Sequence, residues 1–395
     1  MLTTRTALCH LLLRRQGLLG SRASGGASGA VNWVRQQGFL QLEARTQALA
    51  ASHDLVLFNR VGGYQAGDLD LALYDDREFF EHYLHVPGAL PASDYGLIHD
   101  PEAAALASLP GSLGERVLDL LRAEGAASLR ELQAHLRREG YADRRAVARA
   151  VHALYASGAI LVRQREGNQR LFDLANRVLV GRGREALSSE ERLWALARRT
   201  LRILAPVTRA TWSQALGGVG ARTKLGLTRM KREKRRLMAE LVSCGEAAVV
   251  QVEDPPEWYI LPSDWLPELE RRPSQGAPRV SFLSSSDPVV WDRLRARDLF
   301  GFDCRPPAFL PPDRMRLASP LCILYGSTLV GRLDAQMSWS SRRLLVHEVR
   351  VEWQGVLEDS HFRASFAAAL QELAAFHGSY EVRAAGPVPA RLLSP

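Results

Sequence analysis

The sequence predicts an α+β fold of tandem winged-helix domains followed by a β-rich C-terminal domain, and three observations support this prediction. A pattern of three helices and a two-stranded hairpin occurs between residues 112 and 174, and again between residues 188 and 261. After residue 272 the pattern changes to strand-like runs that precede one helix. The length of 395 residues also suits two to four domains better than one.

The first hundred residues predict a more divergent unit of the same kind. Residues 6–19 have the apolar spacing of an amphipathic helix, and residues 31–38 predict a second helix. Residues 39–43 predict an extended segment, and the apolar segment at 53–61 is expected to be buried.

The clearest unit lies between residues 112 and 174. Ser128 precedes Glu131 by three residues, which is a capping box at a helix start, and Asp143 is the expected N-cap of the third helix. The dipeptide Gly167-Asn168 joins two strand-like runs in the manner of a hairpin turn. Because the third helix of helix-turn-helix proteins enters the DNA major groove and a hairpin can meet phosphates, DNA contacts are predicted here. The expected contact residues are Arg144, Arg145 and Arg149 on the helix and Arg163, Arg165 and Arg170 on the hairpin.

The repeated unit carries a concentrated positive charge. Helices are predicted from Ser188 to Leu204, from Thr208 to Leu216 and from Lys231 to Cys244, before a hairpin with a Pro-Pro turn. Most of the net charge of +8 falls between residues 222 and 236. Charge of this density beside a helix start is typical of a nucleic-acid contact. The predicted contact residues there are Arg222, Lys224, Arg229, Lys231, Arg232, Lys234, Arg235 and Arg236.

The remaining residues predict a small sheet or barrel with one covering helix. Strand-like runs occur at 321–325, 328–336 and 344–353, and a helix is predicted over 361–377. The expected domains are 1–108, 109–180, 181–272 and 273–395, the first three resembling winged helices and the last rich in strands.

Composition limits the function further. The pI near 9.6 favours a polyanionic partner, and 46% hydrophobic residues are ample for buried cores. The four cysteines have no zinc-ligand spacing, so we expect no metal and no other cofactor, and isolated thiols suit a reducing cytoplasm. No apolar run approaches the length of a membrane span.

Three segments resemble one known enzyme family, the crosslink-repair DNA glycosylases of the YcaQ/AlkX type. They are GFLQLEARTQALAASHDLVLFNRVGGY at 38–64, DPVVWDRLRARDLFGFDCR at 287–305 and VGRLD at 330–334. Together they extend over nearly the whole chain. The resemblance implies tandem winged helices in a C shape with a β-rich C-terminal domain, in agreement with the units counted above.

The resemblance also implies a catalytic site. The family signature of Gln, a hydrophobic residue, then Gln or Asp falls here on Gln41, Leu42 and Glu43, where the glutamate is one methylene longer than the usual aspartate. His53 and Arg60 match the family pattern and are expected to support the pocket. In an extended segment Gln41 and Glu43 share one face while Leu42 points to the other. A carboxylate there can stabilise an oxocarbenium ion and act as general base, while an amide orients water.

The expected function is therefore that of a monofunctional DNA glycosylase acting on N7-alkylated purines, and on interstrand crosslinks, in base excision repair. Its expected partner is double-stranded DNA with alkylated or crosslinked bases, bound by a monomer at the bacterial nucleoid. Bifunctional glycosylases often form a Schiff base through lysine. The only lysines are Lys224, Lys231 and Lys234, all far from Gln41 in sequence.

Two alternatives remain open at this point. A non-enzymatic winged-helix regulator would explain the basic helices equally well and would need no catalytic residue. A metal-dependent nuclease has less support, because the histidines lack H-E-x-x-H spacing and no lysine follows an acid in the (D/E)-x-K pattern.

Overall fold

The computed structural model describes residues 1–43, 49–141, 143–181, 187–222, 227–253, 257–271, 277–303, 320–379 and 381–392. The side chains of residues 220–232, 354 and 390 are outside this description. The fold is mixed α+β, as predicted. No helix in the described ranges has the length and apolar character needed to span a membrane.

The helices of the described residues follow the chain in this order: Arg5–Arg15 (α1), Gly26–Gln37 (α2), Ser52–Phe58 (α3), Asp68–Tyr74 (α4), Tyr95–Ile98 (α5), Pro101–Ala107 (α6), Leu113–Glu124 (α7), Leu129–Arg138 (α8), Arg144–Ala156 (α9), Ala175–Val178 (α10), Ser189–Leu204 (α11), Arg209–Arg222 (α12), Leu227–Ser243 (α13), Leu266–Leu269 (α14), Arg293–Phe300 (α15) and Ser360–Phe376 (α16).

The strands of the described residues are Leu2–Thr3 (β1), Ala23–Ser24 (β2), Leu40–Gln41 (β3), Val61–Gly62 (β4), Phe79–Tyr83 (β5), Pro87–Pro91 (β6), Ala127–Ser128 (β7), Ile160–Glu166 (β8), Gln169–Leu174 (β9), Ala247–Val252 (β10), Glu257–Pro262 (β11), Val280–Leu283 (β12), Leu321–Tyr325 (β13), Thr328–Ser338 (β14), Arg343–Val351 (β15) and Glu381–Ala384 (β16).

These strands form small sheets. Two antiparallel sheets have the orders β3-β6-β5 and β7-β9-β8. A third sheet, β1-β10-β11, contains one parallel pair, β1 with β10. The largest sheet has the order β12-β13-β14-β15-β16, with only the last pair parallel. Strands β2 and β4 form a short parallel pair. Helix α16 packs on the largest sheet, which confirms the predicted sheet with a covering helix.

The helices and hairpin predicted between residues 112 and 174 are present. In the capping box the Ser128 hydroxyl accepts from the backbone N–H of Glu131, while the Glu131 carboxylate accepts from the backbone N–H of Ser128. The Asp143 side chain caps α9, and β8 and β9 pair up to Glu166 and Gln169 on either side of the predicted turn. A separate group of buried apolar side chains, including Val117, lies among these elements.

Four predicted boundaries differ. Helix α2 begins at Gly26 rather than near residue 31. The first helix ends at Arg15 rather than near residue 19, although Leu18 beyond it is still buried. Helix α12 continues to Arg222, and α13 begins at Leu227, before the predicted start at Lys231.

Packing extends across the domain boundaries that the sequence suggests. Helix α1 joins the apolar core of residues 193–269, and β1 pairs with β10. Buried side chains between residues 30 and 89 share a second core with buried side chains between residues 280 and 392. The boundaries themselves stay a prediction.

Candidate active site

Gln41 ends β3 at the edge of the β3-β6-β5 sheet, and Leu42 and Glu43 follow it. Gln41 pairs with Gly88 of β6, and the Leu42 N–H donates to the carbonyl of Pro87 at 3.0 Å. The Leu42 side chain is buried, which contributes about 1.5–3 kcal/mol and anchors the segment. The backbone pairing and the apolar anchor therefore fix the two polar side chains on either side of Leu42.

The two polar side chains contact each other, as the extended geometry predicts. The Gln41 amide donates from Nε2 to Oε1 of Glu43 at 2.8 Å. The Ser52 hydroxyl, at the start of α3, donates to the other carboxylate oxygen, Oε2, at 2.6 Å. One donor on each oxygen holds the carboxylate in a defined orientation. Ser52 was not predicted, and no sequence pattern marks it.

Two clefts meet at Glu43. The larger, of about 740 Å³, is lined by Gln41, Leu42, Glu43, Pro87, Leu129, Arg130, Gln133, Arg165, Asn168, Gln169, Arg170 and Phe172. The smaller, of about 460 Å³, is lined by Leu42, Glu43, His53, Asp70, Leu73, Tyr74, Asp75, Gln164, Arg165, Gly167 and Asn168. Both volumes are within the usual range of ligand sites, about 300–1,000 Å³. Glu43 thus lines both clefts, together with the tip of the β8–β9 hairpin.

His53 and Arg60, the two predicted pocket residues, have different positions. His53 lines the smaller cleft, with its Nε2 3.9 Å from the carboxylate of Asp54. Arg60 lines neither cleft. It is fully buried and forms two hydrogen bonds with Asp287, at 2.8 and 2.9 Å. A support role for Arg60 is therefore indirect, because its ion pair joins the residues that follow α3 to the residues that follow β12.

The hairpin arginines have partners other than solvent. The guanidinium of Arg165 donates to the buried carboxylate of Glu81 at 2.6 and 2.7 Å, and Arg170 Nε lies 3.4 Å from it. Arg163 donates to the carbonyl of Arg177 at 3.2 Å. Arg165 and Arg170 were expected to contact phosphates. In this structure the Glu81 carboxylate, which is distant in sequence, binds both of them instead.

The other predicted DNA contacts divide into three groups. Exposed side chains that project from α9 and α13 are Arg144, Arg145, Arg149 and Arg235. Lys234 instead donates to the carbonyl of Ser213 at 3.1 Å, and Arg236 pairs with Glu233 at 2.6 Å, so part of the predicted charge is compensated locally. The side chains of five residues lie outside the described part: Arg222, Lys224, Arg229, Lys231 and Arg232.

Within the described residues, no group of three or more His, Cys, Asp or Glu side chains has the arrangement of a metal site. The candidate site consists of a carboxylate and an amide where the two clefts meet.

Comparison with known proteins assigns the chain to an enzyme family. A family model described as "DNA glycosylase AlkZ-like" matches residues 34–376, a range that includes Gln41, Glu43 and both clefts. The chain belongs to the AlkZ-like DNA glycosylase family. This glycosylase also has the fold of Streptomyces sahachiroi DNA glycosylase AlkZ, with a TM-score of 0.65, 14% identity and coverage of 97% of this chain and 100% of that chain.

Family membership makes the protein a DNA glycosylase of DNA repair, with DNA as its substrate. The alternative of a non-enzymatic regulator is not favoured, since the match is to an enzyme family.

Gly88 offers a test of how the glycosylase positions its motif. A Cβ at Gly88 would lie 2.3 Å from the Phe39 ring and 2.6 Å from the Leu40 carbonyl oxygen. Gly88→Ala should therefore displace β3, lower the free energy of unfolding by about 1–3 kcal/mol and slow base release. Urea denaturation and single-turnover base release measure the two effects.

Gly62→Ala is the matched control, because its Cβ would meet only ordinary contacts, the nearest 3.6 Å away. Equal effects of the two substitutions would show that close approach at Gly88 does not position the motif.

Proposed function

We propose that this glycosylase hydrolyses the N-glycosidic bond of N7-alkylated purines and that interstrand crosslinks are among its substrates. The observation that carries the proposal is the Glu43 carboxylate, oriented by Gln41 and Ser52 where two clefts meet. Glu43 and Gln41 are the proposed catalytic residues.

In the proposed chemistry the leaving base needs little acid catalysis. A purine alkylated at N7 is cationic and departs as a neutral base, so positive charge develops on the deoxyribose. The Glu43 carboxylate stabilises that charge and accepts a proton from the attacking water. Because the N–H of Gln41 already contacts Glu43, the amide oxygen is the group that orients the water.

The charges around the smaller cleft favour a cationic base. Glu43, Asp70 and Asp75 line it with carboxylates, whereas Arg165, the arginine among its described lining residues, is paired with Glu81. A cation is attracted into such a cleft. His53 is the proposed pocket support there, beside Asp54.

The larger cleft has the opposite character. Exposed Arg130 lines it together with the amide side chains of Gln133 and Gln169, and these groups suit phosphate and sugar, whereas Arg165 and Arg170 are bound to Glu81. A duplex whose backbone crosses the larger cleft would present a deoxyribose to Glu43.

We further propose that helices α7–α9 with β8–β9, and α11–α13 with β10–β11, act as winged helices on double-stranded DNA. Exposed Arg144, Arg145 and Arg149 on α9 are proposed to bind phosphates, together with Arg163 of the hairpin and the basic residues 222–236. Affinity would then fall steeply with salt and depend weakly on sequence. The enzyme is proposed to act as a monomer at the nucleoid.

Base release from duplex DNA with one N7-methylguanine tests the proposed function. The free base should appear in solution, and the strand should stay intact until heat or alkali cleaves the abasic site. Borohydride should trap no enzyme–DNA adduct, because Lys234 contacts Ser213 and no lysine is near Gln41 in sequence.

A duplex with a neutral lesion such as hypoxanthine is the comparison substrate. Release of hypoxanthine as fast as N7-methylguanine would contradict the proposed preference for cationic bases. A nitrogen-mustard crosslink tests the second substrate class by the appearance of separated strands after alkali.

A further inference from the structure

Glu81 is a buried carboxylate that gathers donors from three elements. It lies on β5 with 2% of its surface exposed. Its oxygens accept from the Tyr74 hydroxyl of α4 and from two nitrogens of Arg165 on β8, and Arg170 of β9 lies at 3.4 Å. Bidentate pairs between arginine and carboxylate are strong and directional, so Glu81 fixes the position of Arg165.

Three residues that contact Glu81 also line the clefts at Glu43. Arg165 lines both clefts beside Glu43, and Asn168 at the hairpin tip does the same. Tyr74 lines the smaller cleft, and Arg170 lines the larger one. Thus one carboxylate outside both clefts holds three side chains that form their walls.

Neighbouring groups compensate the negative charge of the Glu81 carboxylate. Burial by itself raises the pKa of Glu81, but the hydrogen bonds and charge of Arg165 and the Tyr74 hydroxyl hold that pKa below its usual range. The same ion pair raises the pKa of Arg165. Both partners are therefore charged at neutral pH.

Other hydrogen bonds also join residues 77–82 to residues 155–163. The Tyr155 hydroxyl donates to the Glu81 backbone carbonyl at 3.1 Å, and Arg77 donates to the carbonyl of Arg163 at 2.8 Å. His82 Nε2 lies 2.6 Å from the carbonyl oxygen of Tyr155. None of these three contacts involves the Glu81 carboxylate. Removing the carboxylate should therefore move the β8–β9 hairpin while these contacts still hold β5 against the residues around it.

We infer that Glu81 is a positioning residue, which holds the β8–β9 hairpin over Glu43 through Arg165 and thereby sets the rate of base release. The inference rests on the proposed function. With Glu81 in this role, Arg165 and Arg170 act within the active site. They do not act as exposed hairpin residues that contact phosphates.

Glu81→Gln keeps the size of the side chain and removes its charge. We expect single-turnover base release to fall about 10- to 100-fold, since small displacements of groups at the reacting centre have effects of this order. Affinity for undamaged duplex should change by less than about threefold, because Glu81 is buried and its carboxylate has no access to phosphates. Hydrogen exchange of the hairpin amides at 160–174 should become faster in the absence of DNA.

Asp100→Asn is the matched control. Asp100 is also a buried carboxylate paired with an arginine, Arg192 at 2.8 Å, but it lines neither cleft. This variant should lose thermal stability as Glu81→Gln does, yet keep the wild-type rate of base release and the wild-type exchange of the hairpin.

A double variant separates positioning from a general structural effect. If Glu81 acts through Arg165, Glu81→Gln combined with Arg165→Gln should be no slower than Arg165→Gln alone. The inference would be overturned if the rate losses of the two single variants multiplied in the double variant. It would also be overturned if Glu81→Gln left either the rate of base release or the hydrogen exchange at 160–174 unchanged. A wild-type enzyme that released no N7-methylguanine would overturn the proposed function instead, and the exchange measurement would still decide whether Glu81 holds the hairpin.

Discussion

Replacing Glu43 with glutamine should slow the release of N7-methylguanine about 100- to 10,000-fold. The amide has nearly the shape of the carboxylate, so the contacts with Gln41 and Ser52 can be kept in part while the negative charge is lost. That charge is the proposed stabiliser of the oxocarbenium ion and the proposed base for water. Binding of undamaged DNA should change little, because the charge acts mainly in the transition state.

Single-turnover release and a binding titration with the same duplex measure the two effects separately. Glu102→Gln is the control, as it removes an exposed carboxylate of α6 that lines neither cleft. A Glu43→Gln enzyme as fast as the parent would remove Glu43 from the catalytic site.

Replacing Asp287 with asparagine should lower the free energy of unfolding by about 3–5 kcal/mol. Asp287 and Arg60 are both fully buried, and their two hydrogen bonds compensate both charges. Loss of one partner leaves the Arg60 guanidinium as an uncompensated charge in the interior. The same substitution removes the ion pair between a residue that follows α3 and a residue that follows β12.

Chemical denaturation followed by tryptophan fluorescence measures this loss. Asp119→Asn is the control, because its pairs with Arg116 and Arg122 are exposed, with 44% of the Asp119 side chain accessible, and solvent screens them, so the free energy of unfolding should change far less. Equal losses in the two variants would contradict the structural role of the Arg60–Asp287 pair. Base release per folded molecule should stay close to the parent value in Asp287→Asn, since Arg60 lines neither cleft.

Local structure could be predicted from the sequence wherever one short segment contains all the information. The capping box predicted at Ser128 is present with both of its hydrogen bonds, because the cap and its partner lie three residues apart. The hairpin turn at Gly167-Asn168 follows from the backbone preferences of two adjacent residues. The contact of Gln41 with Glu43 follows from the alternation of side chains in an extended segment.

Contacts between distant residues could not be predicted in the same way. Glu81 is separated from Arg165 by 84 positions and Asp287 from Arg60 by 227, and no periodic pattern relates residues so far apart. As a result Arg165 resembled an exposed wing residue. The strands at 79–83 and 87–91, which complete the sheet behind Gln41, were also missed, because their hairpin joins short apolar runs without a strong turn signal.

The central claim is that the Glu43 carboxylate stabilises positive charge on the deoxyribose, and transition-state mimicry tests it most directly. DNA with a cationic pyrrolidine in place of the lesion sugar imitates that charge, and DNA with a neutral tetrahydrofuran at the same position does not. The wild-type enzyme should bind the cationic duplex at least about tenfold more tightly, and Glu43→Gln should lose this preference. Equal affinity of the wild type for the two duplexes, or a preference that survives in Glu43→Gln, would contradict the claim.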